Sequence, residues 1–441
     1  MSVTLDNLST LRSSGVQKGI TSVCSAHPSV IRAALRHGRD AEATVLIEAT
    51  CNQVNHRGGY TGMTPERFAK RVYRIAKEEN CPQNLVVLGG DHLGPNPWRD
   101  QPVNLAMHEA EKMVAAYVAA GFRKIHLDTS MGCAGEPIAL NDETTVLRAV
   151  QLAKVAERTA REQAQFMPFY IIGTEVPPPG GADHKICELT PATPTAVRKT
   201  IEIHRQIFEQ AGLVDAFARV IGLVIQPGVE FGNHNVIRYD RAKAKRLAHI
   251  LTPADGLVFE AHSTDYQGVS SLSELVQDGF AILKVGPELT FILRETFYAL
   301  DLIASDLLPG YQNRALKQQM GLLMEEAPEH WNGHYSGNVE AQKFLRHYSL
   351  SDRIRYYWTH PKAVRAIKNL TTALDGKLVP LPLFWQHMPA AAEFADRPLN
   401  VEDVVIWRVT ECLKFYHRAC NPAREKQALR EDTNVDVRQK L

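Results

Sequence analysis

Eight short β-branched runs recur along the chain: Ile20 to Cys24, Thr44 to Glu48, Leu85 to Leu88, Lys124 to Leu127, Phe169 to Ile172, Val220 to Ile225, Gly256 to Phe259 and Ala281 to Val285. They read as apolar blocks rather than as alternations, the pattern of strands covered on both faces in a parallel sheet. Helical patterns lie between them. The clearest stripe is Val103, Met107, Ala110, Val114 and Val118, spaced by three or four residues along one face. Two helix starts carry a capping threonine followed by proline, Thr64-Pro65 and Thr193-Pro194, where proline's missing N–H costs nothing. Eight strands alternating with helices predict an α/β fold, a closed (β/α)8 TIM barrel over residues 1–305. The rival, an open doubly wound sheet, announces itself by a glycine-rich fingerprint after the first strand; here that strand runs into Ser25-Ala26-His27-Pro28. After about residue 305 the strand signal stops. Aromatic-rich sequence such as Ser351 to Trp358 and the proline-dotted stretch Pro380 to Pro389 predict a C-terminal helical extension, 306–421, packed on the barrel, followed by a charged tail, 422–441.

Active sites of such barrels lie at the C-terminal strand ends, so the residues just beyond each run carry the functional signal. In order these are His27; Glu48 with Asn52 and Asn55; Asp91-His92; Asp128 and Ser130; Glu175; Gln226 and Glu230; Glu260, His262 and Asp265; and Lys284. Ionisable groups at nearly every strand end are more than a barrel kept for its shape requires, since each loses solvation and must find a partner. Each has a structural alternative. A strand-end carboxylate caps a helix or pairs with a basic neighbour as readily as it serves a ligand, and His27 before Pro28 reads equally as a loop histidine. Asp91-His92 is the stronger signal, because it sits in Gly89-Gly90-Asp91-His92-Leu93-Gly94-Pro95, where glycines let the backbone crowd a ligand. His262 and Asp265, within Glu260 to Gln267, rank with it. The glycines of Pro177-Pro178-Pro179-Gly180-Gly181 fit a rigid loop better than a phosphate cradle. His92 and His262, with carboxylates from other strands, are suitable ligands for a divalent ion such as zinc or manganese.

Composition removes several function classes. Of 441 residues 44% are apolar and 22% charged, a globular balance able to bury a large core. Fifty basic against 49 acidic residues give +1, which leaves no positive field for nucleic acid or anionic lipid. Seven cysteines without a C-x-x-C pair fit a reducing compartment. No apolar run approaches about 18 residues and the first thirty carry no apolar signal core, so a soluble cytoplasmic protein without a membrane span is expected. The fingerprints G-x-x-x-x-G-K-[ST], G-x-G-x-x-G and H-E-x-x-H are missing, against a P-loop kinase, a nicotinamide enzyme and a zincin.

At these strand ends the sequence resembles the Z-type subunits of tagatose-1,6-bisphosphate aldolase, from galactitol and N-acetylgalactosamine catabolism. The matching stretches are Ser22 to Pro28, Leu46 to Gln53, Gly89 to Pro95, Lys124 to Asp128, Gly173 to Gly181, Gln226 to Phe231, Phe259 to Gln267, Ala281 to Thr290 and Ser351 to Trp358, so the likeness spans roughly residues 19 to 420. It implies a barrel related to the class II, metal-dependent aldolases. Asp91-His92 stands where those enzymes carry an Asp-His pair after the third strand, and His262 stands in the place of a later metal histidine. The chain departs from them after the sixth strand, where another metal histidine is replaced by Gln226-Pro227-Gly228-Val229-Glu230, leaving Glu230 as the ligand-type residue. It departs again where the glycine-rich phosphate loop after the seventh strand becomes Ser263-Thr264-Asp265-Tyr266-Gln267.

The resemblance implies one of two roles. Family members are described as non-catalytic partners that stabilise a class II aldolase subunit, and as 4-epimerases interconverting tagatose 6-phosphate and fructose 6-phosphate. The strand-end inventory favours the enzyme, acting on a phosphorylated ketohexose with a divalent metal and no nicotinamide, with homo-oligomerisation left open. The proton on C4 of a 2-ketose is β to the carbonyl and not acidic, so inversion there calls for retro-aldol cleavage between C3 and C4 followed by re-addition. On that reading His92, His262 and Glu230 hold the metal, and Asp91 or Glu175 moves the C4 hydroxyl proton. Lys284 neutralises oxyanion or phosphate charge, Asp128 completes the catalytic set, and His27, Glu48, Asn52, Ser263 and Asp265 bind substrate.

Overall fold

The computed structural model describes residues 3–163, 165–174, 189–252 and 255–422. In chain order the strands are β1 (Ile20–Cys24), β2 (Val45–Thr50), β3 (Val86–Leu93), β4 (Lys124–Leu127), β5 (Phe169–Ile172), β6 (Val220–Val224), the two-residue strands β7 (Glu230–Phe231) and β8 (Val236–Ile237), β9 (Val258–Ala261) and β10 (Ile282–Val285). Eight of these close into a parallel barrel in the order β1-β10-β9-β6-β5-β4-β3-β2, while β7 and β8 form a separate antiparallel hairpin. Closure is made by β1 on β10, with Ile20 opposite Ile282 and Val23 opposite Val285. Each predicted run contains or overlaps a barrel strand. The two threonine-proline starts hold as well: Thr64 accepts from the Arg67 N–H at 3.4 Å and Thr193 from the Ala196 N–H at 3.2 Å.

Strand side chains alternate between the helix-covered outside and the barrel interior, so residues two apart share a face. That period sorts the interior into layers. Ile20, Leu46, Ile171, Val258 and Ile282 form an apolar cluster with Leu5 and Leu8 of the N-terminal segment, which floors the barrel. Two residues further along three of these strands stand Glu48, Glu260 and Lys284, so polarity begins directly above the floor. Gly89 makes room for that layer: a Cβ there would lie 2.7 Å from Glu48 Cγ. On the outside, a much larger apolar cluster joins the barrel helices to the C-terminal helices. The last of these, Val401–Cys420, packs against the helices Pro28–Ala41, Gly268–Gln277 and Pro287–Leu307.

Between Tyr348 and the helix Pro361–Leu374 the chain forms a short 3-10 turn, Arg353–Tyr357. It is clamped to the barrel by a buried ion pair, Arg294 Nε to Asp352 Oδ1 at 2.8 Å, and by the Tyr266 hydroxyl donating to the Leu350 carbonyl at 2.7 Å. Among the described residues no helix is long and apolar enough to cross a membrane.

Candidate functional site

Above the apolar floor five ionisable side chains from five strands converge. Lys124 Nζ lies 2.5 Å from Glu48 Oε1 and 2.8 Å from Glu260 Oε2. Lys284 Nζ lies 2.7 Å from Glu48 Oε2, pairs tightly with Asp91 and stands 3.7 Å from Glu260 Oε1. Burial opposes the charge on both ammonium groups, but the carboxylates outweigh it and both are raised above the ordinary lysine value. Burial alone would lift the Asp91 carboxyl; His92 and Lys284 outweigh it and hold Asp91 well below the usual carboxylate range. Three carboxylates against two ammonium groups leave a surplus of one negative charge.

Three histidines close over this layer. The ring centroids of His92, His126 and His262 lie 4.9 to 5.2 Å apart. Each ring has one nitrogen engaged by a neighbour. His92 Nδ1 stands 2.7 Å from Asp128 Oδ2, and His262 Nε2 is 2.9 Å from Glu260 Oε1. His126 Nδ1 is 3.0 Å from Asp91 Oδ1 and 3.2 Å from the His92 backbone nitrogen. The other nitrogen of His126, Nε2, is buried with no hydrogen-bond partner. Fixing one imidazole nitrogen on a carboxylate and leaving the other free is how proteins prepare histidines for a metal. One potential ligand atom from each of Asp91, His92, His126 and His262 lies within 4.8 Å of the others. The orphaned nitrogen, the carboxylates that hold the opposite ring nitrogens and the surplus negative charge together fit a divalent ion.

Charge shifts arise from these contacts. Asp128, which also accepts from the Ser130 hydroxyl at 2.8 Å, is brought down to about 2 because His92 overcomes the effect of burial. His92 is raised by Asp91 and Asp128 against burial, whereas burial and then Lys284 push His262 down to about 3. His92 holds a backbone φ of 50°, a left-handed conformation uncommon for a residue with a bulky ring, at a register shift between β3 and β4. Strain of this kind costs on the order of 1 to 3 kcal/mol and persists where the surroundings over-determine it.

A cavity of about 960 Å3, its open mouth included, lies above the cluster. Asp91, His92, His262 and Lys284 form its base, and Cys24, His27, Asn52, Ser263 and Asp265 contribute to its wall. The roof comes from the C-terminal extension, through Arg355, Tyr356 and Trp358, with Tyr60 opposite them. The sequence candidates therefore divide. Asp91, His92, His262 and Lys284 come together at the base, and Asp128 stands behind His92 as its orienting partner. Glu48 and Glu260 sit deeper, in the ion layer. His27 caps the helix Pro28–Ala41, accepting from the Ser29 N–H at 3.3 Å, and burial lowers it to about 4. Asp265 caps the helix Pro287–Leu307, accepting from the N–H groups of Gly286 at 3.0 Å and Glu288 at 2.8 Å. Asn55 braces its own loop by accepting from the Arg57 N–H at 3.0 Å, and Gln226 does the same for Gly228 at 2.8 Å. Glu230 lies in β7, accepts from the Phe231 N–H at 3.0 Å and is not part of the histidine group. Glu175 and the glycines of 177–181 lie outside the described residues.

Sequence reasoning passed over His126, Lys124 and Arg355. The first two carried a signal: in Lys124-Ile125-His126-Leu127-Asp128 the polar residues alternate, which places all three on one face of β4 and its continuation. Treating the run as a solid apolar block concealed it. Arg355 had no local signal, because its position depends on how the extension folds back.

Residues 5–421 match the model of a family described as D-tagatose-1,6-bisphosphate aldolase subunit GatZ/KbaZ-like. A D-tagatose 6-phosphate 4-epimerase of Agrobacterium fabrum (strain C58) is 53% identical over 427 residues, covering 96% of this chain and 100% of that protein. Among solved structures, one described as a probable tagatose 6 phosphate kinase from Sinorhizobium meliloti 1021 is 50% identical with a TM-score of 0.83, covering 91% of this chain and 100% of that one.

Proposed function

The chain belongs to the D-tagatose-1,6-bisphosphate aldolase subunit GatZ/KbaZ-like family, and from that premise we propose that it interconverts D-tagatose 6-phosphate and D-fructose 6-phosphate by inverting C4. The observation that carries the reading is the group of three histidines and Asp91 at the cavity base, each imidazole tied through one nitrogen. A subunit that only stabilised a partner would have no use for it. Phosphoryl transfer, the activity in the description of the Sinorhizobium relative, finds none of the P-loop sequence here.

Because the C4 hydrogen is β to the carbonyl, inversion proceeds by breaking and remaking the C3–C4 bond. His92, His126, His262 and Asp91 are the residues to hold a divalent ion, zinc or manganese, which when bound supplies Lewis-acid stabilisation of the negative charge on the enediolate. Lys284, kept protonated by Glu48, Asp91 and Glu260, adds a fixed positive charge at the same end of the cavity. Asp91, kept as carboxylate at neutral pH and held by Lys284 and His126, stays with the ion-binding group. Glu175 is the proposed carrier of the C4 hydroxyl proton, on sequence grounds alone: it accepts the proton on cleavage and returns it when the aldehyde is attacked on its other face. Asp128 orients His92 and moves no proton itself. Tyr60, Tyr356 and Trp358 shield the base from water.

The test is incubation of the purified full chain with tagatose 6-phosphate and a divalent ion, without nicotinamide. Fructose 6-phosphate is the expected product, and no turnover under any divalent ion overturns the reading. His126→Ala should abolish turnover and lower bound metal while leaving the circular dichroism spectrum intact. Full activity of a metal-free preparation would remove the metal from the account.

A further inference from the structure

We propose that Arg355, carried over the barrel mouth by the C-terminal extension, is the seat of the substrate's phosphate group; this rests on the epimerase reading and specifies which residue recognises the phosphorylated end.

The cationic side chains that line the cavity differ in what they are paired with. Lys284 is matched by three carboxylates, His92 faces Asp128 and Asp91, and His262 faces Glu260. His27 is neutral at physiological pH, burial having lowered it to about 4. Arg355 differs from all of them. Its Nη1 donates to the carbonyl oxygens of Ser351 and of Asp352, the latter at 3.1 Å, and its Nη2 donates to the Tyr356 hydroxyl at 3.1 Å. None of these partners is an anionic side chain, and the nearby Asp352 carboxylate is already paired with Arg294. A guanidinium carries five N–H groups, so these three bonds leave two for a ligand. A half-buried, permanently charged group facing a cavity, with no carboxylate bonded to it among the described residues, is completed by an anion, and a planar N–H fork suits phosphate oxygens.

A second observation excludes the usual position. Barrels of this class commonly seat phosphate at a helix N-terminus beside the last strands. Here the N–H groups of Gly286 and Glu288 at the start of the helix Pro287–Leu307 are taken by Asp265, and Glu288 adds a carboxyl in the same turn. That seat is filled by the protein's own carboxyl, so phosphate recognition has to come from elsewhere around the mouth.

The extension is built to hold the guanidinium in place. Arg355 lies 4.6 Å from the centroid of the Tyr356 ring and Arg353 lies 5.1 Å from the same ring, while Tyr60 meets Tyr356 edge-on at 4.5 Å. Both arginines draw the Tyr356 phenol below its ordinary value against the effect of burial, which marks the local potential as positive. The Arg294–Asp352 pair anchors the turn from below. The fork is preorganised and little ordering is needed when phosphate arrives.

The test compares Arg355→Gln and Arg355→Lys with the parent chain, all metal-loaded. With tagatose 6-phosphate, Arg355→Gln should raise KM on the order of 10- to 100-fold while kcat changes several-fold at most, with Arg355→Lys intermediate. Inorganic phosphate should compete with substrate in the parent chain and lose that effect in Arg355→Gln. An unchanged KM and unchanged phosphate inhibition in Arg355→Gln overturn the assignment and leave the epimerase reading standing. Calorimetric titration with tagatose 6-phosphate separates the converse case: binding that weakens in Arg355→Gln, in a chain that turns nothing over, keeps the anion seat and removes the epimerase.

Discussion

Lys284 and Arg355 look into one cavity from opposite ends and are treated in opposite ways by the protein around them. Lys284 belongs to a buried layer in which two ammonium groups face three carboxylates at 3.7 Å or less. Arg355 belongs to an aromatic turn that offers it carbonyls, a phenol and a ring, but no carboxylate. The difference separates scaffold from receptor. Charges paired inside the protein hold side chains in position and are costly to disturb, whereas a charge left without a paired carboxylate at a cavity is complete only when its ligand is bound.

Four measurements put this contrast at risk. Lys124→Met removes a cation from between Glu48 and Glu260 and should destabilise the chain by about 3 to 5 kcal/mol, the usual consequence of leaving a buried partner unpaired. Chemical denaturation measures it, and a loss under about 1 kcal/mol would mean that Lys124 is not paired as described. Asp128→Asn keeps the shape but weakens the hold on His92, and metal affinity should fall about 10- to 100-fold with the melting temperature nearly unchanged. An equally tight metal site in that variant would assign Asp128 to chemistry rather than orientation. In the extension, His347 is buried, its Nδ1 lies 2.8 Å from the Tyr298 hydroxyl, and it is lowered to about 3, by burial first and then by Lys317 and Arg294. Its unfolded form takes up a proton below about 6.5 while the folded form does not, so its contribution is present above pH 6.5 and lost as pH falls toward 3. Stability should therefore fall by up to about 1.4 kcal/mol per pH unit in that window, and His347→Gln should flatten the slope. The smallest effect is expected from Arg355→Gln, whose melting temperature without ligand should match the parent, since no ion pair among the described residues is lost. A melting temperature lowered as far as in Lys124→Met would place Arg355 in the scaffold.

Much of the barrel was legible in the sequence because a parallel sheet covered on both sides leaves a solid apolar run. Ile20–Cys24, Lys124–Leu127 and Phe169–Ile172 coincide with strands residue for residue. The run Leu85 to Leu88 stopped short of β3, which continues through Gly89-Gly90-Asp91-His92 to Leu93. Glycines and charges are poor strand formers, and it is the pairing of Glu48, Ala49 and Thr50 of β2 with Gly89, Gly90 and Asp91 that continues the strand there. The same blindness hid Lys124 and His126, polar residues inside a strand that make sense only once the interior is known to be charged. Strand-end logic found Asp91, His92, His262 and Lys284, but it also gathered Asp265, Gln226 and Asn55, whose side chains serve helix caps and loops. A carboxylate that caps and a carboxylate that binds have the same local sequence. Arg355 was beyond reach for a different reason: its place at the mouth is set by contacts made across the fold, such as Arg294 with Asp352, 58 residues apart.

The apolar floor built from Leu5, Leu8, Leu46 and Val258 makes the barrel a blind well. On the proposed retro-aldol route, cleavage between C3 and C4 yields two three-carbon pieces, and the apolar floor gives neither an exit below. Each must then rejoin or leave at the mouth of the well, past the roof of the extension. Fidelity on that route is a contest between recombination and escape, and leaked triose should mark each failed turn of the aldehyde. The seal at the bottom would thereby help a bond-breaking reaction behave, from outside, as an isomerisation.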